Sequence, residues 1–440
     1  MAAASLHLAH WTEDQSIPDR LPLLDRWLES RRAAQPLRGV TVLFIQHQLG
    51  NQVPQARAML ELGVAPEDFW WLDIPYTSNA AVRERLVALG IPRSNFFPGE
   101  YRTLQPYAPY QRKRTQAALR FLLRSTRGKL LVLDDGSYFL EAMSCQPEHP
   151  PDLAIVEQTT RGFIKIEENP AIRMVSEKVP LVNVARSAPK TVLEPPFIGR
   201  AVCDALGRRL GATWKPGPHE RCLILGYGAI GRQVARFCRG LGYDPRNVTV
   251  HDALPDRVRL ALDDGFPAWD RADLSTRFRL VIGCSGRASF LLDDYVFLED
   301  GAVLGSASSG SVELSREDFI ELADRSEKDD VWIEHDGLDE SNVHCDLRFH
   351  FRDREARFLN AGFPLNFDGR VNCVPMHYIQ PTPTMMVAAA VQAVAATGRG
   401  EQQLDPDFCA WLDREFRALL GEEADILTAS TSGSGRRQAS

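Results

Sequence analysis

The stretch from Arg221 to Asp252 is where the sequence most directly offers chemistry. An apolar run, CLILG, leads into Gly226, Gly228 and Gly231, and from Ala229 and Ile230 onward the apolar residues recur at helical spacing. In a GxGxxG turn the first glycine permits the tight bend and the second lets backbone approach a pyrophosphate. The third lets helix pack close to strand, so that helical N–H groups face the phosphates. A second run, VTVH, closes on Asp252, about 20 residues after the last glycine, where a carboxylate accepts both hydroxyls of an adenosine ribose. A 2′-phosphate is repelled there, so the pattern points to NAD rather than NADP as the cofactor. Two later strands, LVIGCSG with Ser285 and AVLGSAS, end in small residues that let backbone approach a dinucleotide. Glycines at a helix start also serve packing alone, and it is strand, helix, second strand and acid in register that carry the cofactor reading.

Other chemistry sits at the ends of apolar strands. GVTVLFIQH finishes on His47, and KLLVLDDG carries Asp134 and Asp135 at its end. Strands FWWLDI and PLVNVA lie among helices near Pro54–Leu62, Ala80–Leu89 and Tyr110–Ser125. Such alternation predicts a parallel sheet with covering helices, whose ligands gather beyond the carboxyl ends of the strands. That places His47 and Asp135 on one edge. Taken singly, His47 reads first as a strand-capping histidine, Lys190 in RSAPKTVLEPP as a solvated lysine, and His377 in NCVPMHY as a hydrogen-bonded loop residue. Asp134 reads as a turn-forming neighbour of Asp135, and QRKRTQ at Gln111–Gln116 as a solvated helix face.

The positioning elements divide the chain. Residues 1–20 read as an arm, followed by an amphipathic helix around Leu21–Arg32 with Leu21, Leu24, Trp27 and Leu28 on one face. The fold class expected is α/β, two Rossmann-like doubly wound parallel-sheet domains. A substrate domain (21–196 and 366–427) is interrupted by an NAD domain (197–365), with the helix Phe197–Leu210 as hinge. LRFHFR and ARFLN flank a tight turn and read as a hairpin, and the helix Thr384–Ala396 returns to the first domain. The tail from 428 to 440, Ser, Gly and Arg in mixture, is too polar to fold by itself.

With 440 residues, 44% apolar and 25% charged, the chain suits two or three globular domains. A net charge of −7 without a basic block excludes the electrostatic footprint of a nucleic-acid binder. Eight scattered cysteines without a CxxC pair suggest neither a zinc site nor a disulfide framework, and no metal is expected. No signal-like start and no membrane-length apolar run is present, so a cytoplasmic protein without membrane partners is expected.

From Leu21 to Ala396 the chain resembles the S-adenosyl-L-homocysteine hydrolase family, through QPLRGVTVLFIQH, LDDG, EQTTRG, NVARSAPKTVLEP, GYGAIGR and GRVNCVPMH in the same order. The resemblance implies bound NAD, a nucleoside thioether substrate, a homo-oligomer, and a cleft that closes between substrate and NAD domains. In that chemistry the ribose 3′-hydroxyl is oxidised, the ketone acidifies the 4′-hydrogen, a thiol leaves C5′, water adds, and the ketone is reduced again. It also implies roles. Asp135 falls on the family's catalytic aspartate, Lys190 on its lysine, His47 on the histidine serving leaving group or water, and His377 on a late histidine near the nicotinamide. Thr159, Thr160 and Asn372 match positions reaching the cofactor. Departures are Gln158 for a glutamate, Glu194 and Pro195 for an aspartate and an asparagine, Ser306 for a histidine, Arg161 for a threonine, and Leu49 and Asn51 in the base pocket. The family's C-terminal lysine and tyrosine, which reach a neighbouring subunit's NAD, are missing. These departures keep two alternatives open: an oxidoreductase that releases NADH, and a noncatalytic NAD-binding regulator.

Overall fold

The apolar runs that close on Gln46, Asp73, Asp134, Glu157 and His251 become strands whose carboxyl ends carry those side chains. The computed structural model describes residues 11, 15–97, 99–126, 128–146, 148–150, 152–326, 331–335, 341–351 and 353–427. Most of the expected arm and all of the expected disordered tail lie outside these residues. The strands run in chain order as β1 (Thr41–Gln46), β2 (Phe69–Asp73), β3 (Leu130–Asp134), β4 (Leu153–Glu157), β5 (Pro180–Asn183), β6 (Cys222–Leu225), β7 (Val248–His251), β8 (Phe278–Gly283), β9 (Leu298–Ser306), β10 (Val331–His335), β11 (Leu347–Phe351), β12 (Arg354–Phe358) and β13 (Gly400–Gln403).

The chain clusters into two units. Of the described residues, one gathers those up to Gly99, Gln111–Glu194 and 369–427; the other gathers Glu100–Tyr110 and Pro195–Asp368. The first unit holds an all-parallel sheet in the order β13-β5-β4-β3-β1-β2. Its central strands are buried on both faces, which is why they read as unbroken apolar runs: Val42 to Ile45 and Leu131 to Leu133 are wholly inaccessible. The helix Pro381–Ala395 covers this sheet against β3, β4 and β5, burying Met385, Met386, Val387 and Ala389. The chain leaves β1 toward β2 on one side, and its later strands add on the other, so the order reverses between β1 and β3. In open parallel sheets such a switch point is where ligands settle.

The second unit repeats the pattern. Its sheet runs β10-β11-β12-β9-β8-β6-β7, parallel from β7 to β12, with the β11–β12 hairpin turning the edge antiparallel. Val202, Leu206, Ile224, Val234, Val250, Leu280 and Ile282 form its core. Both sheets are Rossmann-like, as the strand alternation predicts.

Two expectations need correction. The QRKRTQ face is not simply solvated. Gln111 and Thr115 are inaccessible, and Arg114 forks onto Asp73, Nη2 to Oδ1 at 2.5 Å and Nη1 to the carbonyl at 2.9 Å. The segment Glu100–Tyr110 clusters with the second unit through Arg316, a wholly buried guanidinium. Arg316 donates to the carbonyls of Thr103 (2.7 Å) and Gln105 (3.0 Å) and to the Tyr101 hydroxyl (2.8 Å), and lies over the Phe363 ring. No apolar pattern announces a buried cation of this kind.

Candidate functional site

At the β1/β3 switch point the strand ends are level: Ile45 pairs with Asp134, and Asp134 with Glu157. Just beyond these pairs stand Asp135 and Gln158, one step past Asp134 and Glu157, and His47, two steps past Ile45. His47 Nε2 stands 3.4 Å from Asp135 Oδ2, and Gln158 Nε2 donates to the same oxygen at 3.1 Å. His47, Asp135 and Gln158 are all buried. The His47 ring is fixed from behind, with Nδ1 2.8 Å from Thr77 Oγ1, whose own hydroxyl reaches the Ile74 carbonyl at 3.0 Å. Satisfying both contacts at once makes Nδ1 the donor and turns the Nε2 lone pair toward Asp135.

Burial inverts the usual proton affinities of this pair. Removal from water, reinforced by the nearby Glu157 charge, raises the Asp135 carboxyl to about 8, against the pull of Lys190. Burial, then the Lys190 charge, lowers His47 to about 3. Near neutrality Asp135 therefore keeps its proton and His47 is an uncharged base. Asp135 Oδ1 and Gln158 Oε1 are buried and meet no protein partner, as expected of groups that a ligand satisfies.

Lys190 is the cation whose field both groups feel. Ser187 caps the short helix Ala188–Val192 that carries it. Its Nζ lies 2.7 and 2.6 Å from the two oxygens of Glu194, and Thr382 Oγ1 donates to Glu194 at 2.5 Å. The lysine is thus held by a carboxylate which a second helix also anchors.

Beneath this edge lies Glu157, a residue the sequence reading passed over. It accepts from the Gly136 and Ser137 amides, the Ser137 hydroxyl, and the Thr159 amide and hydroxyl, at 2.7 to 3.1 Å. A Cβ on Gly162 would overlap its carboxyl group. Asp134, pushed well above the usual carboxylate range by burial and by Glu157, caps Phe139 N at 2.7 Å. An acid closing an otherwise apolar strand, LAIVE, with a glycine one turn into the next helix, was the available signal.

The remaining expected residues are placed as follows. The Thr159 hydroxyl serves Glu157 and caps Gly162 N at 2.9 Å, while Thr160 is exposed. Asn372 bonds the arm, its amide nitrogen donating to Ser16 O at 2.8 Å and its backbone N–H to Gln15 Oε1 at 3.1 Å. His377 is half-buried, its ring edge-on to Tyr378 at 5.0 Å.

In the second unit Gly226 leaves β6 with φ +96, a conformation that favours glycine. Its N–H reaches the His251 carbonyl at 2.8 Å, and a Cβ there would strike Ser285 backbone. A Cβ on Gly231 would overlap the Gly226 carbonyl, so only glycine lets the helix Ala229–Phe237 start this close. Beside Gly228 the neighbour within 3 Å is the flexible end of Arg257. Ala229 is exposed, Ile230 packs on the core, and no side chain caps the helix start, leaving its N–H groups for an anion. Asp252 accepts from Tyr227 N at 2.6 Å and Leu254 N at 2.9 Å, and carboxylate oxygens have further lone pairs for ribose hydroxyls. Tyr227 OH and Arg232 both hold Asp264, at 2.8 and 2.6 Å, which braces the turn. Ser285 Oγ faces Glu313, a buried carboxylate that also takes the Ser289 and Ser308 hydroxyls and the Gly286 amide. The residues present fit a dinucleotide.

No protein-family model matches the chain. An uncharacterized protein of Mycobacterium tuberculosis is 27% identical over 360 residues, 80% of this chain and 63% of its own length. The adenosylhomocysteinase of Thermococcus kodakarensis is 25% identical over 44% of this chain and 45% of its own length. The S-inosyl-L-homocysteine hydrolase of Methanopyrus kandleri is 25% identical over 42% and 43%. The chain thus spans under two thirds of the mycobacterial relative and under half of each of these enzymes. Among solved structures, the dipicolinate synthase A chain of Bacillus subtilis aligns with 63% of this chain and 84% of its own at 10% identity, with a TM-score of 0.33. Similarity to the hydrolases is therefore distant and partial. Among the described residues no helix is long and apolar enough to cross a membrane, and no group of three or more His, Cys, Asp or Glu is arranged to hold a metal ion.

Proposed function

We propose that the protein is an NAD-dependent enzyme of the adenosylhomocysteinase type, acting on a nucleoside thioether such as S-adenosylhomocysteine. The observation that carries the reading is the buried set at the β1/β3 switch point, with His47 and Asp135 3.4 Å apart and Lys190 held by Glu194. NAD, when bound, supplies the hydride acceptor for oxidation of a ribose hydroxyl. The glycine turn, the uncapped helix start and Asp252 bind it. Asp135 presents a proton at neutral pH, and uncharged His47 accepts one at Nε2 from a water or returns it to a leaving thiolate. Lys190 Nζ moves the proton of the sugar, and Glu194 with Thr382 fixes where that nitrogen stands. Partners follow from the same reading: a small nucleoside ligand, a second copy of the chain, no nucleic acid, no membrane, and a cytoplasmic setting.

The test is product formation. Purified protein incubated with adenosine, homocysteine and NAD+ should yield S-adenosylhomocysteine by mass spectrometry; NAD+ bound with no product formed rejects the hydrolase reading. A second reading, a dehydrogenase releasing reduced cofactor, is favoured by Gln158, which cannot titrate beside Asp135. Reduced nicotinamide absorbance rising steadily on addition of substrate selects it.

A further inference from the structure

We infer that Arg257 opens the dinucleotide site to a 2′-phosphate, so that the second unit takes NADP+ as well as NAD+; this rests on the cofactor reading above. An acid at the end of the second strand of such a fold ordinarily repels that phosphate. Here the acid has a counter-charge. Arg257 Nη1 lies 3.8 Å from Asp252 Oδ2, and 2.9 Å from the position a Cβ on Gly228 would take. Its guanidinium thus lies across the second glycine, over the ribose acid. Its side chain is 46% exposed, against 7% for Asp252. The arginine is free to swing, whereas the acid is pinned by the Tyr227 and Leu254 amides.

At 3.8 Å from Asp252, the guanidinium is within reach of a 2′-substituent on a ribose held by that acid. A planar fork of N–H donors matches phosphate oxygens in geometry as well as charge. The two amides on Asp252 already disperse part of its negative charge, which lessens the repulsion a phosphate meets. Hydroxyls of a plain ribose still find the remaining carboxylate lone pairs, so NAD+ is retained.

Calorimetric titration of the full chain with NAD+ and with NADP+ tests this, using wild type, Arg257→Ala and Arg257→Lys. The wild-type dissociation constants should lie within about tenfold of each other. Arg257→Ala should weaken NADP+ by about tenfold or more and NAD+ by less than about threefold, since a charged fork on a phosphate is lost in one case only. Arg257→Lys, which keeps charge without the fork, should recover part of the NADP+ affinity. Matching melting temperatures for the three proteins would show that folding is not the cause. A wild-type ratio above about tenfold, or equal loss of both dinucleotides in Arg257→Ala, overturns the inference. NAD+ binding alone sinks this inference only; binding of neither removes the cofactor reading with it.

Discussion

His47 and Asp135 face each other 3.4 Å apart with their proton affinities exchanged, the carboxyl raised to about 8 and the imidazole lowered to about 3. The switch point of the first sheet brings them together, and burial does the rest.

This exchange sets a pH dependence of stability. A carboxyl whose folded pKa is raised stabilises fully below its unfolded value near 4, and that stability is lost as pH rises toward 8. Asp135→Asn should flatten the pH dependence of thermal stability across that window, removing a slope of about 1.4 kcal/mol per pH unit. His47 acts in the opposite sense. Its folded pKa is lowered, so its contribution is present above pH 6.5 and is lost as pH falls toward 3. His47→Gln should therefore resist acid better than wild type. Unchanged slopes in both variants would show that neither group is buried as described.

The two later glycines of the turn should respond differently to alanine. Gly231→Ala drives a methyl into the Gly226 carbonyl, and Gly228→Ala meets only the flexible end of Arg257. We expect Gly231→Ala to destabilise by about 3 kcal/mol or more, in the range of overpacking and strain. Gly228→Ala should melt near wild type yet lose dinucleotide affinity. Calorimetric melting with NAD+ titration separates the cases, and full NAD+ binding by Gly228→Ala would contradict the placement of the pyrophosphate.

Glu157 should prove structural as well as electrostatic. Glu157→Gln replaces one accepting oxygen by a donor facing the N–H and O–H groups of Gly136, Ser137 and Thr159. An expected loss of about 2 to 4 kcal/mol follows from buried donors left unpaired. It should also lower the Asp135 pKa, because the Glu157 charge is one of its two leading causes. Carbon-detected NMR titration of the Asp135 carboxyl reads that shift; an unmoved pKa leaves burial as the whole cause.

Arg316→Met should loosen the segment around Thr103. The substitution abandons the Thr103 and Gln105 carbonyls and the Tyr101 hydroxyl. With the Thr103 carbonyl left unpaired, and the Gln105 carbonyl and Tyr101 hydroxyl keeping each other but losing a charged donor, a loss of about 3 kcal/mol is expected. Limited proteolysis should then cut between Glu100 and Tyr110, and wild-type resistance there would count against this role.

How much of this was legible depended on how local the physics is. The glycine turn is, because each glycine answers a backbone constraint set within a few residues, and Asp252 is placed by the strand it ends. His47 and Asp135 were legible because doubly buried strands read as apolar runs whose last residue marks the carboxyl edge. Strand β13 was not, since Gly400–Gln403 is an edge strand of half-exposed polar residues held by its pairing with β5. Glu157 and Arg316 were missed because a buried charge is defined by partners far along the chain, such as Ser137 or Tyr101. Arg257 carries no sequence signal of its own, because its nearness to Asp252 is set by how the helix Pro255–Asp263 leaves β7.

Deuterium at C4′ of the nucleoside bears most directly on the proposed chemistry. Full-length protein incubated with NAD+ and adenosine in heavy water should return adenosine labelled at C4′. The label should be absent without NAD+ and lost in Lys190→Ala. Adenosine recovered unlabelled from wild-type protein that demonstrably holds NAD+ would contradict the reading of the His47, Asp135 and Lys190 cluster as a site of proton transfer at an oxidised sugar.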